Sequence, residues 1–399
     1  MNKVAKVGWW RLAAALAATA PALLTRGLRL DLAPVASVMV FGAAVVASAF
    51  LLVWAAEAAG HDISGGLATA ILAVIAVLPE YAVDLFFAYS AGHDPQTAQF
   101  AAANMTGSNR LLLGVGWPLV AILFAWGGRQ GGKSANDVRL EPSRRTELAF
   151  LGVACIYSLV IPITRRIAWY DAVVLLSLFA AYLWRSARGD RSEPELIGVA
   201  RKIGDLPRRR RRAVVAALFF AATAIVLLAA APFAHGLVAG GRQLGIDEFL
   251  LVQWLAPLAS EAPELLVAAM LALRGKADAS MGILLSAKVN QWTLLVGSLP
   301  VAYAIGGGSA AGLPLDGRQT EEFLLTAAQT AMGFAMFADL RFSVREAAIL
   351  LVLFAVQFPF PQTSARLAFA AGYALIAIIL LVQRRSALPA VARAFRSAG

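Results

Sequence analysis

Long apolar runs dominate the chain, and short polar segments separate them. We predict eleven membrane-spanning helices, preceded by a shorter apolar run at 11–25, and the predicted spans are 36–56, 66–90, 97–126, 146–164, 167–184, 213–239, 248–273, 278–305, 320–339, 343–359 and 366–383. Most of these runs approach the roughly 20 residues that a spanning helix needs. They are too apolar on all sides for amphipathic surface helices, and they lack the two-residue alternation of a membrane barrel. The pattern predicts an all-α polytopic membrane protein.

Composition agrees with this prediction. Hydrophobic residues make up 60% of the 399 residues and charged residues only 15%, whereas soluble domains average about 45–50% and about 25%. An ordinary soluble enzyme and a disordered chain are therefore excluded. The single cysteine, Cys155, offers no disulfide framework, and the three histidines show no metalloprotease spacing. We expect no cofactor.

The distribution of basic residues predicts the orientation in the membrane. The net charge of +11 would suggest a nucleic-acid partner in a soluble protein. Here, however, Lys and Arg cluster in short segments between apolar runs, where they set membrane topology. Placing the arginine-rich segment 185–212 in the cytoplasm puts most of the 35 basic residues on that side. We therefore expect a multi-pass protein of a bacterial-type inner (plasma) membrane, with the lipid bilayer and no nucleic acid as its partner.

The two halves of the chain resemble each other. A Pro-Glu pair at 79–80 matches one at 263–264, and the segment 109–116 matches 290–297. Because the matches occur in the same order in both halves, they indicate a duplicated unit of five helices. Because five is odd, the second copy enters from the opposite side, as in many secondary transporters. The predicted organisation is a tail with a short helix (1–35), a first repeat (36–184), a basic linker (185–212), a second, inverted repeat (213–360), and an extra helix with a cytoplasmic tail (361–399).

Several ionisable and polar residues fall inside predicted spans. A charge at bilayer depth costs at least about 2.5–3.5 kcal/mol, so such groups usually have a function. The ionisable groups are Glu80, Asp84, Arg110, Glu261, Glu264 and Lys288, and the accompanying polar residues are Asn104, Ser108, Asn109, Ser260, Ser286 and Asn290. Each Pro-Glu element combines a carboxylate with a proline that frees a backbone carbonyl. Carboxylate, carbonyl and amide oxygens are the ligands that hard cations prefer.

At these residues the chain resembles the cation/calcium exchanger superfamily. Members carry two repeats, each with a (G/A)-T-S-L-P-E element on one helix and a G-N-x-x-G-S-N element on the next. The chain retains Leu-Pro-Glu at 78–80, Gly-Ser-Asn at 107–109 and Pro-Glu at 263–264, whereas Ser-Ala-Lys-Val-Asn at 286–290 replaces the second Gly-Ser-Asn. The resemblance implies ten core helices with Glu80 and Glu264 as central cation ligands, and Ser108 matches the motif serine.

The leading functional hypothesis is a secondary antiporter that moves Ca²⁺, or another cation, against Na⁺ or H⁺ by alternating access. Its expected cation ligands are Glu80, Glu264, Ser108, Asn109 and Asn290. The alternative is a proton-coupled carrier of a different substrate, with an anion bound by Lys288 and Arg110. An intramembrane enzyme is disfavoured because the chain has no HExxH motif and no nucleophile elbow. The sequence leaves the oligomeric state open.

Overall fold

The computed structural model describes residues 3–59, 78–130, 137–186 and 198–396, together with positions 188 and 196. The part of predicted span 66–90 before residue 78 lies outside the described residues, as does much of the linker 185–212. The described helices are α1 (Lys3–Gly27), α2 (Pro34–Ala59), α3 (Leu78–Ala91), α4 (Ala98–Leu111), α5 (Trp117–Gln130), α6 (Arg145–Ser158), α7 (Val160–Thr164), α8 (Trp169–Ser186), α9 (Gly198–Gly204), α10 (Arg208–Leu244), α11 (Glu248–Leu273), α12 (Ala277–Asn290), α13 (Val296–Ile305), α14 (Gly317–Phe337), α15 (Val344–Val356), α16 (Thr363–Gln383) and α17 (Leu388–Arg396).

Six of the described helical segments are long and apolar enough to cross a membrane. They are Pro34–Ala59, Pro95–Gly128, Pro142–Thr164, Arg208–Leu244, Glu248–Leu273 and Thr363–Gln383. The prediction of an all-α membrane protein is thereby confirmed.

Helix bounds follow the apolar runs closely, with differences at the ends. Predicted span 248–273 coincides with α11, whereas the predicted span 213–239 is part of the longer α10. The arginine run 208–212, which we assigned to the linker, forms the start of that helix, because arginine is a good helix former. The short helices α9 and α17 lie in segments that we predicted to be linker and tail.

The chain forms two compact units. The first comprises Met1–Phe86 and Ser186–Pro263. In it, α2 packs along α10, and α1 and α9 also pack against α2. The core of this unit is aliphatic and includes Leu51, Ala55 and Ala222, which are fully buried. Ser37 of α2 donates a hydrogen bond to the carbonyl of Pro232 at 3.1 Å, where the two helices approach closely.

The second unit comprises Phe87–Arg185 and Glu264–Gly399. Its central helix is α14, which packs against α4, α6 and α16. Asp316 begins this helix with a capping box, in which its side chain accepts a hydrogen bond from the backbone of Gln319. Ser343 and Glu346 form a second capping box at the start of α15. This unit contains most of the candidate polar residues.

Two pairs of very short strands join connecting segments within the second unit. Strand β1 (Asp137–Arg139) pairs antiparallel with β4 (Arg341–Ser343), and β2 (Arg166–Ile167) pairs antiparallel with β3 (Leu313–Pro314). In terms of the predicted repeats, β1 and β3 each follow the third helix, whereas β2 and β4 each follow the fourth. The pairing is therefore reciprocal between the two predicted repeats. Two copies with opposite orientations would bring these segments together in this way, whereas copies with the same orientation would not.

The third helix of each predicted repeat carries a π-helical segment, and these segments favour a different register for the predicted repeat. Both α4 and α12 contain 14 residues, and each continues directly into five π-helical residues, Leu112–Gly116 and Gln291–Leu295. Asn109 and Lys288 are each the twelfth residue of their helix, so aligning the two π-helical segments would make them equivalent in the predicted repeat. This alignment differs by two residues from the predicted match of 109–116 with 290–297, and identities within leucine-rich runs carry little positional information.

Candidate functional site

In the first unit, the candidate acids lie on α3 and α11. Glu80, Asp84 and Glu261 are all buried, with Asp84 fully so. Ser260 is also buried, and its hydroxyl donates to the carbonyls of Ala256 at 3.2 Å and Pro257 at 3.3 Å. Charged residues inside membrane-spanning segments almost always face protein or a water-filled cavity, and the burial of these three acids fits that rule.

Helix α11 continues through Glu264 into the second unit. Pro257 and Pro263 lie inside this helix, and each removes one backbone hydrogen bond because proline has no N–H. Glu264 follows the second proline directly and is half-buried. The helix thus places a carboxylate beside a weakened stretch of backbone.

A buried polar contact joins α4 to α12 in the second unit. The ammonium of Lys288 donates to the backbone carbonyl of Asn109 at 2.5 Å. The side chain of Gln291 donates from Nε2 to the hydroxyl of Ser108 at 3.2 Å. Ser108, Asn109 and Lys288 are fully buried. The structure therefore brings three of the predicted site residues together, and we call Ser108, Asn109, Lys288 and Gln291 the α4–α12 cluster.

Two amide side chains on α4 leave buried polar atoms unsatisfied. Asn109 donates from Nδ2 to the carbonyl of Met105 at 3.0 Å, but its Oδ1 has no hydrogen-bond partner among the described residues. Asn104 is 1% exposed, and neither its Oδ1 nor its Nδ2 has such a partner in the described part of the chain. Native proteins rarely leave buried polar groups unsatisfied, so such atoms indicate a bound water, ion or substrate.

Arg110 lies in a different cluster from its neighbour Asn109. It forms a buried ion pair with Glu322 of α14. Arg366 of α16 lies 2.7 Å from a carboxylate oxygen of Glu321 and 3.9 Å from one of Glu322. Two arginines and two glutamates thus neutralise each other, and Arg110 is engaged by a carboxylate.

The remaining predicted residues of α12 have separate surroundings. Ser286 is half-buried, and its hydroxyl lies 2.8 Å from the hydroxyl of Tyr182 on α8. Asn290 is buried, and in the sequence it directly precedes Gln291 of the α4–α12 cluster. No group of three or more His, Cys, Asp or Glu side chains with metal-binding geometry occurs in the ranges that the structure describes.

Sequence reasoning missed several polar residues around these sites. Gln291 directly follows Asn290, and counting amides as well as charges in predicted span 278–305 would have found it. Trp292 places its ring 5.9 Å from the Lys288 ammonium and donates to the hydroxyl of Thr330 at 3.0 Å. Glu322 is 212 residues from Arg110, and no local pattern could have paired them.

Comparisons with known proteins identify the family. The family described as "Sodium/calcium exchanger protein" matches residues 33–187 and 214–360. A solved structure titled "Crystal Structure of H+/Ca2+ Exchanger CAX" is 39% identical, covers 97% of this chain and 97% of its own, and superposes with a TM-score of 0.92. A search of curated protein sequences returned no match.

More distant structures show a likeness of fold. The Ca²⁺/H⁺ antiporter YfkE is 18% identical, with coverage of 90% and 98% and a TM-score of 0.61. The sodium-calcium exchanger NCX_Mj soaked with 10 mM Na⁺ and no Ca²⁺ is 16% identical, with coverage of 82% and 99% and a TM-score of 0.54. The resemblance inferred from the sequence motifs is confirmed: this chain is a multi-pass membrane transporter that belongs to the sodium/calcium exchanger family.

Proposed function

We propose that this protein is a secondary active antiporter that exchanges Ca²⁺ for H⁺. The observation that carries the proposal is the 39% identity to an H⁺/Ca²⁺ exchanger over 97% of both chains. Coupling to H⁺ rather than Na⁺ is favoured because the Na⁺-coupled relative is only 16% identical.

The proposed cation ligands are Glu80 and Glu264, with Ser108, Asn109 and Asn290 as neutral ligands. Ca²⁺ takes six to eight oxygen ligands from carboxylates, carbonyls and amides. The burial of Glu80 and the unsatisfied Oδ1 of Asn109 support this assignment. Asp84, Glu261, Ser260 and Asn104 are further candidates, because all four are buried inside predicted spans.

Transport would proceed by alternating access between two inverted repeats. The reciprocal pairing of β1 with β4 and of β2 with β3 supports opposite orientations for the two copies. It also agrees with the orientation from basic residues, which assigns 127–145 and 340–345 to the cytoplasmic side together with 185–212. A protein that is open to one side at a time can exchange one cation for another without a leak.

The alternative of an anionic substrate held by Lys288 and Arg110 receives less support. Arg110 is already paired with Glu322, and the Lys288 ammonium donates to the Asn109 carbonyl. An anion would have to displace both contacts.

Neutral replacements of the two glutamates test the proposed ligands. In proteoliposomes, we expect Glu80→Gln and Glu264→Gln each to reduce Ca²⁺ uptake at least about 100-fold. A neutral amide cannot replace an ionised carboxylate as a ligand for a divalent ion. The matched control is Glu248→Gln on the same helix as Glu264. Glu248 pairs at 2.5 Å with Arg242, whose side chain is 64% exposed, so uptake should be unchanged. Wild-type uptake by either Glu80→Gln or Glu264→Gln would refute the proposed ligands.

A further inference from the structure

We propose that the ammonium group of Lys288 is a resident monovalent cation, which fills a position where the protein would otherwise bind Na⁺ and so keeps Na⁺ out of the transport cycle. The structural basis of this proposal is the α4–α12 cluster. Its consequence for transport rests on the proposed function.

The position of Lys288 is the first argument. Asn109 and Lys288 are equivalent residues of the two 14-residue helices, and they contact each other. Equivalent residues of two copies related by a twofold axis meet only near that axis. One predicted copy supplies an amide residue and the other an ammonium, so a cation is built into the contact between α4 and α12.

The surroundings of the ammonium are the second argument. Lys288 is fully buried, and burying a charge is costly unless polar groups solvate it. Its Nζ donates a hydrogen bond to the carbonyl oxygen of Asn109 and lies 5.9 Å from the centre of the Trp292 ring. Carbonyl oxygens and aromatic faces solvate monovalent cations as well as ammonium groups.

The unsatisfied amides of α4 are the third and independent argument. Asn104 lies one helical turn before Ser108 and therefore shares its face of α4. Asn104 and the Oδ1 of Asn109 have no hydrogen-bond partner among the described residues, although both are buried. Oxygen atoms of this kind could ligate an ion if the lysine side chain were removed.

The backbone next to the cluster is suited to ion binding. Both α4 and α12 change to π-helix within three residues of the Asn109–Lys288 contact. Such segments are rare and occur often at functional sites, because the shifted hydrogen bonds alter which carbonyls are satisfied. Here they occur at the same position in both copies.

The test compares small, apolar and charged replacements of Lys288 in purified protein. Lys288→Ala removes the charge and opens space, Lys288→Met removes the charge but fills the space, and Lys288→Arg keeps the charge. Melting temperatures are measured in detergent with 100 mM NaCl and with 100 mM choline chloride. We expect Na⁺ to raise the melting temperature of Lys288→Ala by about 2–4 °C and to leave the wild type, Lys288→Met and Lys288→Arg unchanged.

Transport provides a second readout. In proteoliposomes, a Na⁺ gradient should drive Ca²⁺ movement by Lys288→Ala but not by the wild type. The melting experiment does not require Ca²⁺ transport, so a failure of the proposed function would leave the Na⁺ site testable. A folded Lys288→Ala that shows no Na⁺-dependent stabilisation would overturn the inference, as would an equal Na⁺ effect on the wild type.

Loss of folding would also be informative. If Lys288→Ala and Lys288→Ser cannot be purified in choline, both are prepared in Na⁺ and in methylammonium. Recovery of folded protein by either monovalent cation supports the inference. Failure of both cations to restore folding contradicts it, because a resident cation should be replaceable by a diffusible one.

Discussion

Neighbouring residues of α4 belong to two separate buried clusters. The backbone of Asn109 accepts from Lys288, whereas the side chain of Arg110 pairs with Glu322. The sequence makes Asn109 an expected cation ligand and Arg110 a candidate for binding an anionic substrate. That these residues lie in apolar helices could be predicted, but partners more than 170 residues apart could not. Only packing decides which cluster each side chain joins.

The Arg110–Glu322 pair should be a structural requirement rather than a ligand site. Removing one partner of a buried ion pair leaves an uncompensated charge, which costs roughly 3–5 kcal/mol, whereas replacing both by apolar residues is often neutral. We therefore expect Glu322→Met to lower the melting temperature strongly, and Arg110→Met with Glu322→Met to restore most of it. The control is Arg242→Met at the exposed pair with Glu248, which should cost at most about 1 kcal/mol. A double variant no more stable than the single one would disprove this role.

The long apolar helices follow from hydropathy, whereas features of five residues or fewer do not. The four strands have two or three residues each, which is too short for a periodic pattern. The π-helical segments are equally invisible in the sequence, because a single shifted hydrogen bond leaves the apolar run unchanged. These short features nevertheless favour one register for the predicted repeat.

Close packing of the first π-helical segment should make Gly114 intolerant of a side chain. A Cβ at this position would overlap the ring of Phe354 on α15. Overpacking of a filled core typically costs 1–3 kcal/mol, so we expect Gly114→Val to lower the melting temperature. Adding Phe354→Leu should recover part of the loss by making room.

Gly372 provides the matched control for this substitution. It lies inside α16, and a Cβ there meets no other atom within 4 Å. Gly372→Ala should leave the melting temperature unchanged or raise it slightly, because alanine favours the helix. An equal change in melting temperature for Gly114→Val and Gly372→Ala would show that overlap with Phe354 does not cause the loss of stability.

At the scale of the whole molecule, the sequence predicted a polytopic helical exchanger, and the family comparison bears this out. The two compact units do not coincide with the two predicted repeats, since each unit takes segments from both. Local patterns predict the long apolar helices, but they carry no information on which helices pack together. The inverted repeat therefore remains a prediction, supported by the reciprocal strand pairs.

The most direct test of this account is ion-coupled flux through the purified wild-type protein. Proteoliposomes carry a Ca²⁺ indicator and a pH indicator inside, and Ca²⁺ is added outside in Na⁺-free buffer. We predict that Ca²⁺ enters while the interior becomes alkaline, and that replacing choline by Na⁺ inside changes neither signal. Ca²⁺ entry that requires internal Na⁺ would contradict coupling to H⁺, and the absence of any Ca²⁺ entry would contradict the proposed function itself.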